Sequence, residues 1–243
     1  MTRLRLISLN LWKNDGDYPA RLHRILADLR PWAADLIAVQ EAFAAPSLGL
    51  DSAAFLADGL GLQVTSLPLR QKPRQVDGQW VESSSGQALL SRWPVQASRC
   101  LALPSDPADG ERAALLVDLL CAGHRVTVAV LHLTHLAGAQ DLRRQQWRAI
   151  ADGLAVAPLA VAAGDFNTPL AALAPEQQGF RDCRASCGQP ARSTLISGGD
   201  PGGIDHVLVR GAVQVLGWQI ILDHPTPVAS DHCGVLVDLA IGA

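Results

Sequence analysis

Aromatic side chains are scarce in this chain. One Tyr, four Phe and six Trp make up 5% of its 243 residues, and there is a single Met. The hydrophobic 49% is therefore mostly Ala, Leu and Val, the composition of a globular rather than a disordered chain. Long apolar runs are missing too. No window approaches the roughly 18 continuous apolar residues of a membrane span. The opening Met1-Thr2-Arg3-Leu4-Arg5-Leu6 alternates like a strand and lacks the apolar stretch and cleavage site of a secretory signal. The cysteines, Cys100, Cys121, Cys183, Cys187 and Cys233, form an odd set with neither disulfide-like nor zinc-like spacing, so a reducing cytoplasm is the expected compartment. Basic residues are thinly spread, 20 Lys and Arg against 23 Asp and Glu, for a net charge of −3. Only Arg70, Lys72 and Arg74 cluster, which argues against an obligate duplex binder, although a bound divalent cation would itself attract phosphate. There is no Gly-x-Ser-x-Gly elbow, no P-loop, no Gly-x-Gly-x-x-Gly turn after a strand and no His-Glu-x-x-His. Serine hydrolases, the common nucleotide binders and zinc proteases are set aside on that ground.

The chain does carry a long series of short strands. Alternation predicts a first strand ending near Asn10, and Leu22, Ile25, Leu26 and Leu29 recur at helical spacing until Pro31. A strand over 35–40, a helix near 53–60 and a strand near 62–67 come next. The polar span 70–85, with Pro73 and Asp77-Gly78, reads as a long exposed loop. Strands are then expected at 87–90, 95–103, 113–121 and 124–133, a helix at 140–154, and strands at 159–163, 204–210, 213–222 and 234–239. The glycine-rich 197–203 reads as a flexible loop. Without repeats or a linker, this pattern suits one α/β domain over 1–243, with two packed sheets flanked by helices.

The polar residues sit at strand ends, where α/β architectures place chemistry. Asp165 and Asn167 come directly after the apolar Val161-Ala162-Ala163-Gly164. Two apart on an extended segment, they point to one side. Glu41 ends a buried strand and, with Asn10 from a neighbouring one, offers hard oxygens in an incomplete shell, which suits Mg²⁺ or Mn²⁺. His132 and His135 are an odd number of residues apart and face opposite ways on a continuous strand. His135, at the strand end beside Thr134, suits contact with a phosphoryl oxygen, and His132 is expected to be structural. His206 points away from whatever Asp205 faces. His232 adjoins Asp231, and an imidazole held by a carboxylate favours its protonated form.

Read in order, the strand ends spell Asn10, Gln40-Glu41, Thr134-His135, Gly164-Asp165-Phe166-Asn167, Asp205 and Ser230-Asp231-His232. That order resembles the endonuclease/exonuclease/phosphatase superfamily of DNase I-like nucleases, apurinic endonucleases, neutral sphingomyelinases and inositol polyphosphate 5-phosphatases. The resemblance implies a four-layer α/β sandwich of two mixed sheets flanked by helices, and a divalent-metal-dependent hydrolase of phosphate esters, more a phosphodiesterase than a monoesterase. It implies metal-site roles for Asn10, Glu41 and Asp231, water activation by Asp165, transition-state stabilisation by Asn167, and orientation of His232 by Asp205. The substrate would be a nucleic acid, a phospholipid headgroup or a small phosphodiester, approached by Arg70, Lys72 and Arg74 if that loop meets a polyanion. Trp12 stands where some apurinic endonucleases carry an Asp, and Asn-x-Trp looks more like the start of some neutral sphingomyelinases. A catalytically silent member binding a phosphorylated partner is the alternative.

Overall fold

The computed structural model describes residues 1–224 and 226–242. Its elements in chain order are β1 (Thr2–Asn10), α1 (Tyr18–Leu29), β2 (Leu36–Ala45), β3 (Leu50–Asp51), α2 (Ser52–Leu60), β4 (Gln63–Leu67), β5 (Lys72–Val76), β6 (Gln79–Ser91), β7 (Val95–Ala102) and β8 (Ala113–Cys121). They continue with β9 (His124–His132), α3 (Gln140–Gly153), β10 (Leu159–Asp165), β11 (Arg181–Asp182), α4 (Cys183–Ser186), β12 (Asp205–Gly211), β13 (Val213–Ile221) and β14 (Gly234–Ile241). One sheet runs β13-β14-β1-β2-β6-β4, with β3 on β2 and β5 on β6; the other runs β11-β12-β10-β9-β8-β7. Both are mixed, as expected of this sandwich: β1 and β2 pair in parallel, as do β9 and β10, while their other neighbours are antiparallel.

Three apolar layers hold the sandwich together. Between the sheets, Leu4, Leu6, Leu36 and Leu89 meet Val117, Val128, Val161 and Val207. Outside the first sheet, Ile7, Leu9, Ile37 and Val39 receive Leu22, Ile25 and Leu29 of α1 and Leu56 of α2. Outside the second, Leu116, Ala129, Leu131 and Ala162 receive Trp147 and Ile150 of α3 and Leu154 just after it. Strands covered on both faces, such as β10 and the first half of β2, read as continuous apolar runs, whereas β1 alternates at its start, where Arg3 and Arg5 are not buried. No helix among the described residues is long and apolar enough to cross a membrane.

Three expectations are corrected. The span 70–85 is not a loop: β5 and β6 form a hairpin with register Lys72↔Ser83 to Val76↔Gln79, turned by Asp77-Gly78, both of positive φ. A two-residue turn of that kind joins tightly paired strands, so polarity here marked a solvent-facing ribbon. The segment 197–203 is anchored rather than loose, because the Asp200 carboxylate accepts hydrogen bonds from the backbone of Thr194 (3.1 Å) and Leu195 (3.2 Å) and from the hydroxyls of Ser193 and Thr194. Strand β2 does not stop at Gln40 but continues to Ala45 through a bulge between Gln40 and Ala42.

Candidate active site

The apolar inter-sheet core ends in a polar layer. On β1 the inward row Leu4, Leu6 continues to Ser8 and Asn10; on β10, Val161 and Ala163 lead to Asp165; on β9, Val126, Val128 and Val130 lead to His132. Asp205 starts the inward row of β12, and its register opposite Asp165 joins the two carboxylates at one end of the sandwich. The resulting cleft, about 280 Å³, is lined by Asn10, Trp12, Lys13, Glu41, Arg70, His132, His135, Asp165, Asn167, Asp231 and His232. Of the eight catalytic and metal residues expected from the sequence, all but Asp205 line it, and Asp205 stands directly behind His232.

Glycine matters beside Asp165. A Cβ on Gly164 would run into the Leu131 carbonyl oxygen of β9, so only glycine lets the two parallel strands approach where the Asp165–Asn167 segment leaves the sheet. Asn167 is then reached by a turn, not by extension. It has φ 51°, and its N–H donates to Asp165 Oδ1 at 2.9 Å, an Asx-turn. Its side-chain amide donates to the Leu133 carbonyl at 3.0 Å. Asp165 and Asn167 thus face one cleft through a turn and not, as the same-side argument had it, along an extended strand.

Asp165 is buried and crowded. Its Oδ2 accepts from Asn10 Nδ2 at 3.1 Å and lies 3.4 Å from His132 Nε2 and 3.8 Å from His232 Nε2. Burial, with the negative charge of Asp205, raises its pKa to about 7. His232 shows the converse. Burial alone would discharge it, but Asp205, whose Oδ2 accepts from Nδ1 at 2.8 Å, and then Asp165 and Asp231, raise its pKa to about 10. The other Asp205 oxygen is buried without a hydrogen-bond partner among the described residues, so its charge is not shared with other donors. Thr194 sets this pair, its hydroxyl accepting from the N–H groups of Ile204 (3.0 Å) and Asp205 (3.1 Å) while its carbonyl accepts from Cys233 (2.7 Å).

His135 is the opposite case. Its Nδ1 lies 2.9 Å from both Arg112 Nη2 and Asp109 Oδ1. Burial and Arg112 lower its pKa against the pull of Asp109, and with Nδ1 facing Arg112 and Asp109 the other ring nitrogen, Nε2, is the one left for a further partner. Asp109 is fixed by a bidentate pair with Arg112 at 2.7 and 2.8 Å. Burial pushes its carboxyl up, but the Arg112 bonds prevail and hold it at about 2. His132 is half-buried at the floor, where desolvation holds its pKa well below the usual imidazole value.

The metal reading can be tested on the donors. Asn10 Oδ1 accepts one bond, from Trp12 N–H at 3.0 Å, which leaves a second lone pair. Glu41 has φ 53° at its bulge, a conformation that re-aims the side chain, and its carboxylate receives no hydrogen bond other than the Lys13 ion pair among the described residues. Asp231 is only weakly engaged, by Ser230 Oγ at 3.4 Å. Three hard oxygen donors with spare capacity around one cleft fit Mg²⁺ or Mn²⁺. The close group Asp165, Asp205 and His232 fits a cation less well, since its histidine nitrogen is committed to Asp205 and the imidazole is itself positively charged.

Several sequence readings change here. His132, expected to be structural, lines the cleft together with His135. Strand β9 ends at His132, so parity says nothing about a residue three positions on. Arg70, Lys72 and Arg74 do not act as one patch: Arg70 lines the cleft and pairs with Asp109 at 3.3 Å, Lys72 is exposed on the hairpin, and Arg74 turns inward to Ser83 Oγ at 2.9 Å. The Arg74 guanidinium is thus engaged within the hairpin, by Ser83 and the Arg70 carbonyl. Lys13, Asp109 and Arg112 were missed, because each lies in an irregular segment with no strand-end signal. His206 was read correctly: it faces the α3 side, against Phe166 and the Thr168 carbonyl. Ser91-Arg92-Trp93-Pro94 forms a turn at the far end of β6, pairing with the start of β2, away from the cleft.

Residues 7–232 match the sequence model of the Endonuclease/Exonuclease/phosphatase family. Among solved structures, the chain is similar to an endonuclease/exonuclease/phosphatase from Beutenbergia cavernae (TM-score 0.78, 23% identity, 100% of this chain and 72% of that one). It is also similar to the human Nocturnin catalytic domain with bound sulfate (0.79, 19%, 98% and 94%) and to a humanized D. rerio TDP2 (0.76, 18%, 98% and 99%). At these identities the likeness is one of fold. No curated protein matches the sequence.

Proposed function

Because the chain belongs to the endonuclease/exonuclease/phosphatase family, whose members are generally phosphoester hydrolases, we propose that it is a divalent-metal-dependent phosphodiesterase. The observation that carries this reading is the pairing of a near-neutral-pKa carboxylate, Asp165, with a charged imidazole, His232, 3.8 Å apart, beside the spare oxygen donors of Asn10, Glu41 and Asp231. A carboxylate that titrates near 7 is basic enough to take a proton from water and still about half ionised at neutral pH. Asp165 accordingly deprotonates the water that attacks phosphorus. His232, held as imidazolium by Asp205, meets the extra negative charge of the pentacovalent transition state. His135 meets a phosphoryl oxygen through Nε2, Asn167 supplies its amide, and His132 steadies Asp165 from the floor. Asn10, Glu41 and Asp231 would hold Mg²⁺ or Mn²⁺, which when bound supplies charge neutralisation at a non-bridging phosphoryl oxygen. The five unpaired cysteines support the reading of a reducing, cytoplasmic setting.

The substrate is a phosphate ester drawn from nucleic acid, a phospholipid headgroup or a small soluble phosphodiester. A metal-supplemented assay across bis-p-nitrophenyl phosphate, p-nitrophenyl phosphorylcholine and single- and double-stranded DNA and RNA tests this. Turnover that requires Mg²⁺ or Mn²⁺ and stops with EDTA is expected. Equal turnover in metal-free buffer would sink the metal role, and no turnover of any diester would sink the phosphodiesterase.

A further inference from the structure

Glu41, the strongest of the proposed metal ligands, already has a cation beside it. Lys13 Nζ lies 3.2 Å from Glu41 Oε2 and 3.4 Å from Asp15 Oδ2. A Lys–Glu pair on an open surface contributes little, but this one is not on an open surface. The Glu41 side chain is only 17% exposed, and the ammonium sits inside the cleft wall.

The backbone that presents Lys13 is unusually well fixed. Arg21 of α1 is buried, 3% exposed, and donates to the carbonyls of Leu11 (3.0 Å), Trp12 (3.1 Å), Lys13 (3.1 Å) and Asp15 (2.8 Å), and across to Ala229 (2.9 Å). Its guanidinium also stacks 4.7 Å from the centre of the Trp12 ring. Trp12 and Lys13 take left-handed backbone, φ 58° and 41°, a conformation that bulky residues keep only when their surroundings enforce it. The loop is thus pinned at its carbonyls, and the mobile part is the four-carbon lysine stem, whose ammonium bridges Glu41 and Asp15.

We propose that Lys13 is a tethered counter-ion that stands in for the divalent cation at Glu41 and gives way to it, releasing Glu41 while it keeps Asp15. This rests on the reading of Glu41 as a metal ligand. An ammonium at 3.2 Å and a divalent ion at the ~2.0–2.1 Å of a Mg–oxygen bond on one carboxylate repel each other, so the two occupy Glu41 by turns. Without metal, Lys13 neutralises an acidic cleft that also holds Asp165 and Asp231. With metal, displacing the ammonium costs part of the binding free energy, so this chain binds its ion more weakly than the oxygen donors alone would. Asp15 is half exposed and draws Lys13 away from Glu41, favouring the metal-bound arrangement.

The test is direct Mn²⁺ binding to the full chain without substrate, by electron paramagnetic resonance and calorimetry. Lys13→Met and Lys13→Gln should each bind Mn²⁺ about fivefold or more tightly than the unaltered protein, the effect of removing one competing charge, and should melt at a lower temperature in EDTA. Asp15→Asn should bind more weakly, and that loss should vanish when combined with Lys13→Met, because Asp15 acts only through the lysine. Glu41→Gln separates the two levels. If Glu41→Gln abolishes binding while both Lys13 variants bind no more tightly than the unaltered protein, the counter-ion is refuted and the ligand stands. If Glu41→Gln binds Mn²⁺ normally, Glu41 is not a ligand and the counter-ion falls with it.

Discussion

Asp205→Asn isolates the charge that holds His232. The substitution keeps size and an oxygen acceptor opposite His232 Nδ1, 2.8 Å away, and removes one negative charge between two buried residues. Burial acts to discharge His232; Asp205 leads the groups that oppose it, ahead of Asp165 and Asp231, and together they raise the imidazole from 6.5 to about 10. That rise corresponds to roughly 5 kcal/mol of preference for the imidazolium, shared among three carboxylates. Assigning Asp205 about half gives ~2–3 kcal/mol, close to the cost of removing one partner from a buried pair. A raised folded-state pKa contributes stability that is full below the unfolded value of 6.5 and is lost as pH rises toward 10. The unaltered protein should therefore lose unfolding free energy across that window, and Asp205→Asn should lose less of it while being less stable at about pH 6. Denaturant unfolding at closely spaced pH values measures the slope, and NMR titration of the His232 ring should show its pKa falling by about two units, the size of that free energy. On a verified substrate, kcat should fall by ~10²-fold or more. An imidazole that still titrates near 10 in Asp205→Asn would refute the assignment of its charge to Asp205.

Asp165→Asn should lose at least about a hundredfold in kcat and melt no lower than the unaltered protein, since a carboxyl whose pKa is pushed up by burial destabilises the fold when ionised; a retained kcat would remove Asp165 as the base. Asp109→Asn should release His135 and Arg112 together. With its carboxyl held at about 2 instead of 3.8, Asp109 contributes ~2 kcal/mol that is present above pH 3.8 and lost as pH falls through 2, so the variant should show a flatter acid-unfolding profile. Arg70→Met should raise KM and flatten the salt dependence for a polyanionic substrate, while Arg74→Met should change melting temperature and leave that dependence alone; the reverse outcome would restore Arg74 to the cleft.

The strands and the order of their polar ends were legible in the linear chain, because strand ends are local. An apolar run such as Val161-Ala162-Ala163-Gly164 can only be a buried strand, and the polar residues next to it in sequence must lie at the sheet's edge. The order of Asn10, Glu41, Thr134-His135, Asp165, Asp205 and His232 was enough to read the four-layer sandwich and most of the cleft. Which face of each strand looks inward was not legible. Central strands are buried on both sides, so alternation is silent, and His132 could not be told from a core histidine until Val126, Val128 and Val130 were seen between the sheets. The backbone at Glu41 and Asn167 was equally hidden, since a bulge and an Asx-turn are settled by pairing partners far along the chain. Charge states were decided last and only in three dimensions. His135 and His232 are the same residue type, one with its pKa lowered by burial and Arg112 and one with its pKa raised against Asp205, because a pKa depends on what the fold brings within a few ångströms and not on what precedes it in sequence.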